Sequence, residues 1–336
     1  MRPADLLQPT PAGLYCPPAG IHIDPVRPVP RALITHGHSD HARAGHGAVL
    51  ATAETLAIMA ARYGEDFCGT RQVAVPGRAI DLGGVSATFH PAGHVLGSAQ
   101  IAIEAQDLRI VASGDYKRQA DPTCAPFEIV PCDIFISEAT FALPVFHHPD
   151  PMHEIGRLLD SLRLFAERTH LVGAYSLGKA QRVIALLRAG GHEVPIYLHG
   201  AMEKVTRLYE ALGVDLGDVR LMREAQETAL AGAVVLCPPG SLTDRWSRRV
   251  VDPVHVNASG WMRIRARARQ SGAELPLIIS DHADWPDLQR TILETGCREL
   301  WVTHGQEDAL VHWAKGQGLE ARPLRLVGYG EEEEAA

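Results

Sequence analysis

Four potential metal ligands crowd into the six residues His36-Gly37-His38-Ser39-Asp40-His41, directly after the apolar run Ala32-Leu33-Ile34-Thr35. Such a run reads as a short buried strand, and a loop springing from a strand end holds its side chains on a rigid base. Neutral imidazoles with a carboxylate suit Zn²⁺ or Mn²⁺ better than Ca²⁺ or Mg²⁺. Spaced two apart, His36 and His38 can converge on one ion, while Asp40 and His41 turn toward a second. A solvated histidine-rich loop is the competing reading, and further ligands elsewhere in the chain argue against it.

Those ligands stand at the ends of other apolar runs. Asp24 lies in Ile21-His22-Ile23-Asp24-Pro25, just before the first ligand-bearing strand. His94 follows the strand-like residues 85–89, and Asp115 closes the strand-like residues 108–112 in Ser113-Gly114-Asp115-Tyr116. His304 follows Leu300-Trp301-Val302-Thr303 and precedes Gly305. This placement is expected where strand ends converge on one site.

The order Asp, His-x-His-x-Asp-His, His, Asp across residues 20–140 resembles the metallo-β-lactamase superfamily. Further on, Ser137-Glu138-Ala139-Thr140, Ser280-Asp281-His282-Ala283-Asp284 and Val302-Thr303-His304-Gly305 resemble the motifs of its β-CASP nuclease branch. Tyr175-Ser176-Leu177-Gly178-Lys179-Ala180-Gln181 and Ser259-Gly260-Trp261 look like that branch's insert. Tyr15-Cys16-Pro17-Pro18 and residues 176–181 are most similar to bacterial ligase-associated DNA exonucleases.

The resemblance implies an α/β fold, an αββα sandwich with an inserted α/β β-CASP domain. The expected division is 1–145 and 276–330 for the sandwich, 146–275 for the insert and 331–336 for an acidic tail. It implies two divalent ions, Zn²⁺ ahead of Mn²⁺, with His36, His38 and His94 on the first and Asp40, His41 and His304 on the second. Asp115 and a water bridge them, and that water, as hydroxide, attacks phosphorus. His282 protonates the leaving oxygen with Glu138 orienting it, and Asp24 orients a ligand histidine. Ser176, Lys179, Ser259 and Gly260 are the expected substrate contacts. The implied activity is a metal-dependent DNA exonuclease in repair, acting on single-stranded ends with the 5′ end favoured, linked in function to an ATP-dependent DNA ligase. An RNA-processing nuclease is the alternative substrate reading, and a small-molecule metallo-hydrolase a weaker one.

Composition supports a globular chain and excludes little else. The 336 residues suffice for one large or two medium domains. No apolar run is long enough to span a bilayer, and no signal-peptide pattern opens the sequence. The six cysteines form no Cys-x-x-Cys pair, as in a reduced cytoplasmic protein. Net charge is −8, yet residues 241–270 hold seven arginines against Asp244 and Asp252. That local excess could track a phosphate backbone or be an ordinary solvated face.

From residue 152 the pattern changes. Ile155, Leu158, Leu159, Leu162 and Phe165 recur at helical spacing. Strand-like 171–175 and 194–198 then alternate with helix-like 179–188 and 202–212, which predicts a parallel sheet. After Pro276, the apolar run Leu277-Ile278-Ile279 is expected to be a strand returning the chain to the ligand-bearing core. His147-His148, flanked by prolines, reads as a loop.

Overall fold

The computed structural model describes residues 1–225, 230–324 and 326. The expected acidic tail, 331–336, lies outside the described residues. The described residues divide into two compact units, one formed by those of 1–146 and 282–326, the other by those of 147–281.

The first unit is built on two sheets. Six strands follow one another in sequence order: Gln8–Thr10, Gly13–Cys16, Ile21–Ile23, Arg31–Leu33, His46–Ala51 and Cys68–Val73. The second sheet has seven strands, ordered Glu320–Pro323, Glu299–Gly305, Ile134–Ala139, Leu108–Ala112, Ala99–Ala105, Ser86–Pro91 and Ile80–Asp81.

Period-two alternation makes this second sheet buried on both faces. Ile101, Ile103, Ile110, Ile134, Ile136 and Trp301 point toward the first sheet, where they join Leu14, Ile21, Ile23, Leu33 and Leu50. Their neighbours Ala102, Val111, Phe135, Leu300 and Val302 face the other way and pack on Leu288, Ile292, Leu310 and Ala314 from the helices Trp285–Glu294 and Glu307–Gly316. On the outer face of the first sheet, Ala32, Ile34 and Val49 meet Leu56 and Met59 of helix Ala53–Tyr63. The layers therefore run helix, sheet, sheet, helix. Each large apolar side chain fully buried in them contributes about 1.5–3 kcal/mol.

The second unit carries a six-stranded sheet, ordered Val219–Leu221, Ile196–Leu198, Val234–Cys237, His170–Gly173, Val254–Ala258 and Leu275–Leu277, with every pairing parallel. Helices Pro151–Leu164, Lys179–Ala189 and Glu203–Ala211 supply its connections. One expectation fails here. Leu277 does not begin a strand of the ligand-bearing core. Residues Leu275–Leu277 are the edge strand of this parallel sheet, paired with Val256, Asn257 and Ala258. Edge placement tolerates Pro276, which has no N–H to give a second neighbour. Among the described residues, no helix is long and apolar enough to cross a membrane.

Candidate metal centre

Five strand ends of the first unit deliver the candidate ligands to one place. The loop after Arg31–Leu33 is pinned on helix Ala53–Tyr63. Arg62 Nη1 donates to the Gly37 carbonyl at 2.7 Å, and a Cβ at Gly37 would lie 2.5 Å from Ile58 Cγ2. That helix starts at Thr52, whose Oγ1 accepts from the Thr55 amide and donates to the Gly97 carbonyl at 2.7 Å. The His94 loop is thereby tied to the same helix N-terminus. Ser98 Oγ accepts from the amides of His94 and Val95, and Lys117 Nζ donates to the His94 carbonyl. The Asp115 turn passes so close to Thr35 that a Cβ at Gly114 would sit 2.7 Å from Thr35 Cβ.

His36, His38, His94 and Asp115 each offer one ligand atom, and these atoms all lie within 4.8 Å of one another. His94 Nε2 is 3.0 Å from His38 Nδ1. Asp115 Oδ2 is the common centre, 3.4 Å from His36 Nε2, 3.6 Å from His41 Nε2 and 3.7 Å from His94 Nε2. His41 Nε2 is also 3.6 Å from Asp40 Oδ2, and the His304 ring stacks on His41 with centroids 4.9 Å apart. Asp115 therefore stands between the two ligand sets.

One carboxylate fixes the tautomers of two of these histidines. Asp24 Oδ1 accepts from the Thr35 amide at 2.8 Å, and its Oδ2 accepts from Thr35 Oγ1 at 2.6 Å and from His41 Nδ1 at 2.8 Å. The Thr35 hydroxyl proton is thus committed, so the oxygen accepts from His36 Nδ1 at 3.0 Å. In their neutral forms, His36 and His41 then carry their lone pairs on Nε2, toward Asp115. Fixing the far ring nitrogen is the usual role of a partner behind a metal-binding histidine. Asp24 holds this position with φ of 43°, a conformation uncommon for a residue other than glycine.

Electrostatics show what the centre lacks. Burial, reinforced by the charge of His41, pushes His36 down to about 4, and the same causes put His304 at about 4. Burial also opposes a charge on His41, but Asp40, Asp115 and Asp24 outweigh it and raise the imidazole to about 10. Asp115 lies well below the carboxylate range: burial works against ionisation, and His41 and His36 overcome it. Among the described residues, Asp40 Oδ1 and His36 Nε2 are buried with no hydrogen-bond partner. Orphaned acceptors around shared carboxylates call for positive charge at their centre. The imidazole and carboxylate set matches Zn²⁺ or a similar divalent ion, so the residues fit a metal.

A second group adjoins the first. Glu138 Oε2 is 2.9 Å from His282 Nδ1, and Glu138 Oε1 accepts from the Tyr116 amide at 2.7 Å. Ligand atoms of Asp115, Glu138 and His282 lie within 4.8 Å of one another, and the His282 ring is 4.6 Å from that of His94. Burial, more than any neighbour, raises the Glu138 carboxyl above its ordinary value. Its strand pairs in parallel with Glu299–Gly305, and the register shifts between Ser137 and Ala139, leaving Glu138 opposite Thr303 and His304. His304 takes φ of 56° at this bulge. Bulges re-aim side chains next to sites, and this one sets two candidate residues at a single irregularity.

Ser176, Lys179, Ser259 and Gly260 lie in the second unit, as members of its own framework. Lys179 is buried at the start of helix Lys179–Ala189, 3.7 Å from Asp281 Oδ2, with Nζ 5.2 Å from the Tyr175 ring centroid. The Ser176 carbonyl accepts from Gln181 Nε2, and Ser259 Oγ caps the next turn by accepting from the Trp261 amide. Gly260 opens that turn, and Trp261 is buried with Arg267 stacked 3.9 Å from its ring centroid. Sequence reasoning missed Thr35, Ser98 and Lys117. A hydroxyl directly before the first ligand histidine was the signal available for Thr35.

Comparison with known proteins adds to this geometry. The chain is similar to a probable DNA ligase of Opitutus terrae, 31% identical over 323 residues that cover 92% of this chain and 30% of that protein. It is also similar to the endoribonuclease YSH1 of Eremothecium gossypii, 34% identical over 131 residues that cover 35% of this chain and 17% of that protein. The chain thus spans less than a third of either relative's length. A crystal structure of a protein of unknown function from Enterococcus faecalis V583 shares the fold, with a TM-score of 0.58 at 14% identity over 89% of this chain and 80% of that one. No family model matches. A two-sheet sandwich with a histidine and aspartate cluster at its strand ends is a scaffold suited to holding metal. Taken with these relatives, the sandwich and its cluster support the resemblance to the metallo-β-lactamase superfamily and its β-CASP branch.

Proposed function

We propose that this chain is a metal-dependent nuclease that hydrolyses DNA phosphodiester bonds from a strand end, the 5′ end of single strands first, in DNA repair. The first unit is its catalytic sandwich and the second its β-CASP insert. The observation that carries the reading is the Glu138–His282 pair at 2.9 Å beside the Asp115 cluster. A donor cluster alone would serve a small-molecule hydrolase equally well. A buried carboxylate bonded to a ring nitrogen next to it supplies an oriented proton donor for a departing oxygen.

His36, His38 and His94 would hold one divalent ion and Asp40, His41 and His304 another, with Asp115 shared. Bound there, divalent ions supply Lewis acidity toward the phosphoryl oxygens and an acidified water at neutral pH. Asp24 and Thr35 keep the Nε2 atoms of His41 and His36 turned inward. Glu138 holds His282 Nδ1–H, leaving Nε2 to carry a proton toward the leaving oxygen.

The preference for DNA is supported by the probable DNA ligase, whose match extends over 92% of this chain. It also supports a functional link to a DNA ligase. Endoribonuclease relatives favour RNA as the second reading, but over 35% of the chain. Matched DNA and RNA strands labelled at either end, incubated with Mn²⁺ or Zn²⁺, separate the two. The reading expects mononucleotides from one end of the DNA strand. Internal cleavage of RNA with intact DNA would replace it by the second.

A further inference from the structure

One stretch of arginines on the second unit is not balanced as that unit's other arginines are. Arg163 pairs with Asp160, Arg207 with Glu210 and Arg220 with Asp218, all at exposed positions. Arg245, Arg248, Arg249, Arg265 and Arg269 are exposed and, among the described residues, form no ion pair. The two acids of the same stretch are engaged otherwise. Asp244 Oδ1 accepts from the Trp246 amide at 2.6 Å, and the Asp252 carboxylate lies 3.1 Å from Arg168 Nε. A chain of net charge −8 has acids to spare, yet among the described residues none pairs with these five.

The topology gathers these residues along one edge. They follow Val234–Cys237 and Val254–Ala258, the two strands flanking His170–Gly173 in the parallel sheet. Trp246 meets the ring of His199 at 4.6 Å, and His199 directly follows strand Ile196–Leu198, so this stretch sits at the carboxyl ends of the strands. The turn Gly260–Arg263 leaves the carboxyl end of Val254–Ala258 and leads into helix Arg265–Gln270. Carboxyl edges are where open α/β sheets take ligands.

That helix is held by Arg267, which stacks on Trp261, and the rest of its cationic face is left to solvent. It buries no side chain. Arg265 opens it, where the helix dipole disfavours a cation, and Arg265 with Arg269 forms a like-charge i,i+4 pair, which weakens a helix. We propose that this edge of the second unit is a docking surface for a nucleic-acid phosphodiester backbone, with Arg245, Arg248, Arg249, Arg265 and Arg269 as its phosphate contacts. The proposal rests on the nuclease reading and adds to it a binding surface carried wholly by the second unit. A protein partner fits less well, because protein interfaces centre on a desolvated apolar core and Val251 is the large apolar side chain exposed in this stretch. A backbone asks for cations alone.

Two full-length variants test it, one with all five arginines changed to Gln and one with all five changed to Lys. Binding of a labelled, cleavage-resistant phosphorothioate strand is followed by fluorescence anisotropy across a salt series, with melting and metal content checking the fold. The Gln variant is expected to lose about 3 from the slope of log affinity against log salt, while the Lys variant keeps the parent slope, because counterion release follows charge. An unchanged slope in the Gln variant overturns the surface, and so does an equal fall in both variants. Capture of poly-glutamate but not of the strand would reassign the edge to an acidic protein. If the parent cleaves strands and only the surface fails, the nuclease reading stands. A parent that neither binds nor cleaves removes both.

Discussion

Two buried charge clusters in this chain are built on opposite terms. In the second unit, Lys179 and Arg182 are inaccessible and face Asp281 at 3.7 and 3.4 Å, and Arg182 Nη1 donates to the Ser280 carbonyl. Cations there close on acceptors. In the first unit the Nε2 atoms of His36, His41 and His94 surround Asp115 Oδ2 at 3.4–3.7 Å, so potential ligand atoms crowd one centre with no fixed cation among them. A closed cluster of the first kind holds a fold together. An open one costs stability unless a cation enters, and marks a site.

The contrast breaks first at Asp40. Asp40→Ala is expected to abolish phosphodiester cleavage, and retained turnover in an end-labelled strand assay would mean another centre does the work. His282→Ala should slow cleavage by about 10²–10⁴-fold with metal content unchanged by elemental analysis, whereas loss of metal would recast it as a ligand. Arg182→Met belongs to the closed cluster. It should cost about 3–5 kcal/mol of stability in denaturant unfolding, because a buried charge cluster loses one member and Asp281 keeps Lys179 alone of the two cations, and it should leave metal stoichiometry alone. A metal defect there would erase the distinction between the clusters. Asp24→Asn should weaken metal affinity by about 10–100-fold, the usual effect of removing a partner behind a ligand, in a competition titration with a chelating dye. Full affinity would show that the Thr35 and His41 bonds to Asp24 are incidental.

Much of the first unit was legible because its information is local. The candidate ligands could be picked out because each stands at the end of an apolar run. What escaped depends on distance along the chain. The burial of Lys179 against Asp281 is hidden from the sequence, since the two lie far apart along the chain. The fate of Leu277 turned on which sheet edge was open, a property of topology that hydropathy does not carry. The bulge opposite Glu138 is a register shift between strands remote in sequence, and the role of Thr35 is hidden because its two partners flank it in space. Periodicity reports burial, and convergence has to be seen.

Counting the metal in purified protein, alongside an Asp115→Ala variant, tests the central claim most directly. The account predicts about two divalent ions per chain in the parent, as a dinuclear hydrolytic site requires, and loss of at least one when Asp115 is removed. A parent that takes up no divalent ion, or a variant that keeps the full complement, would contradict it.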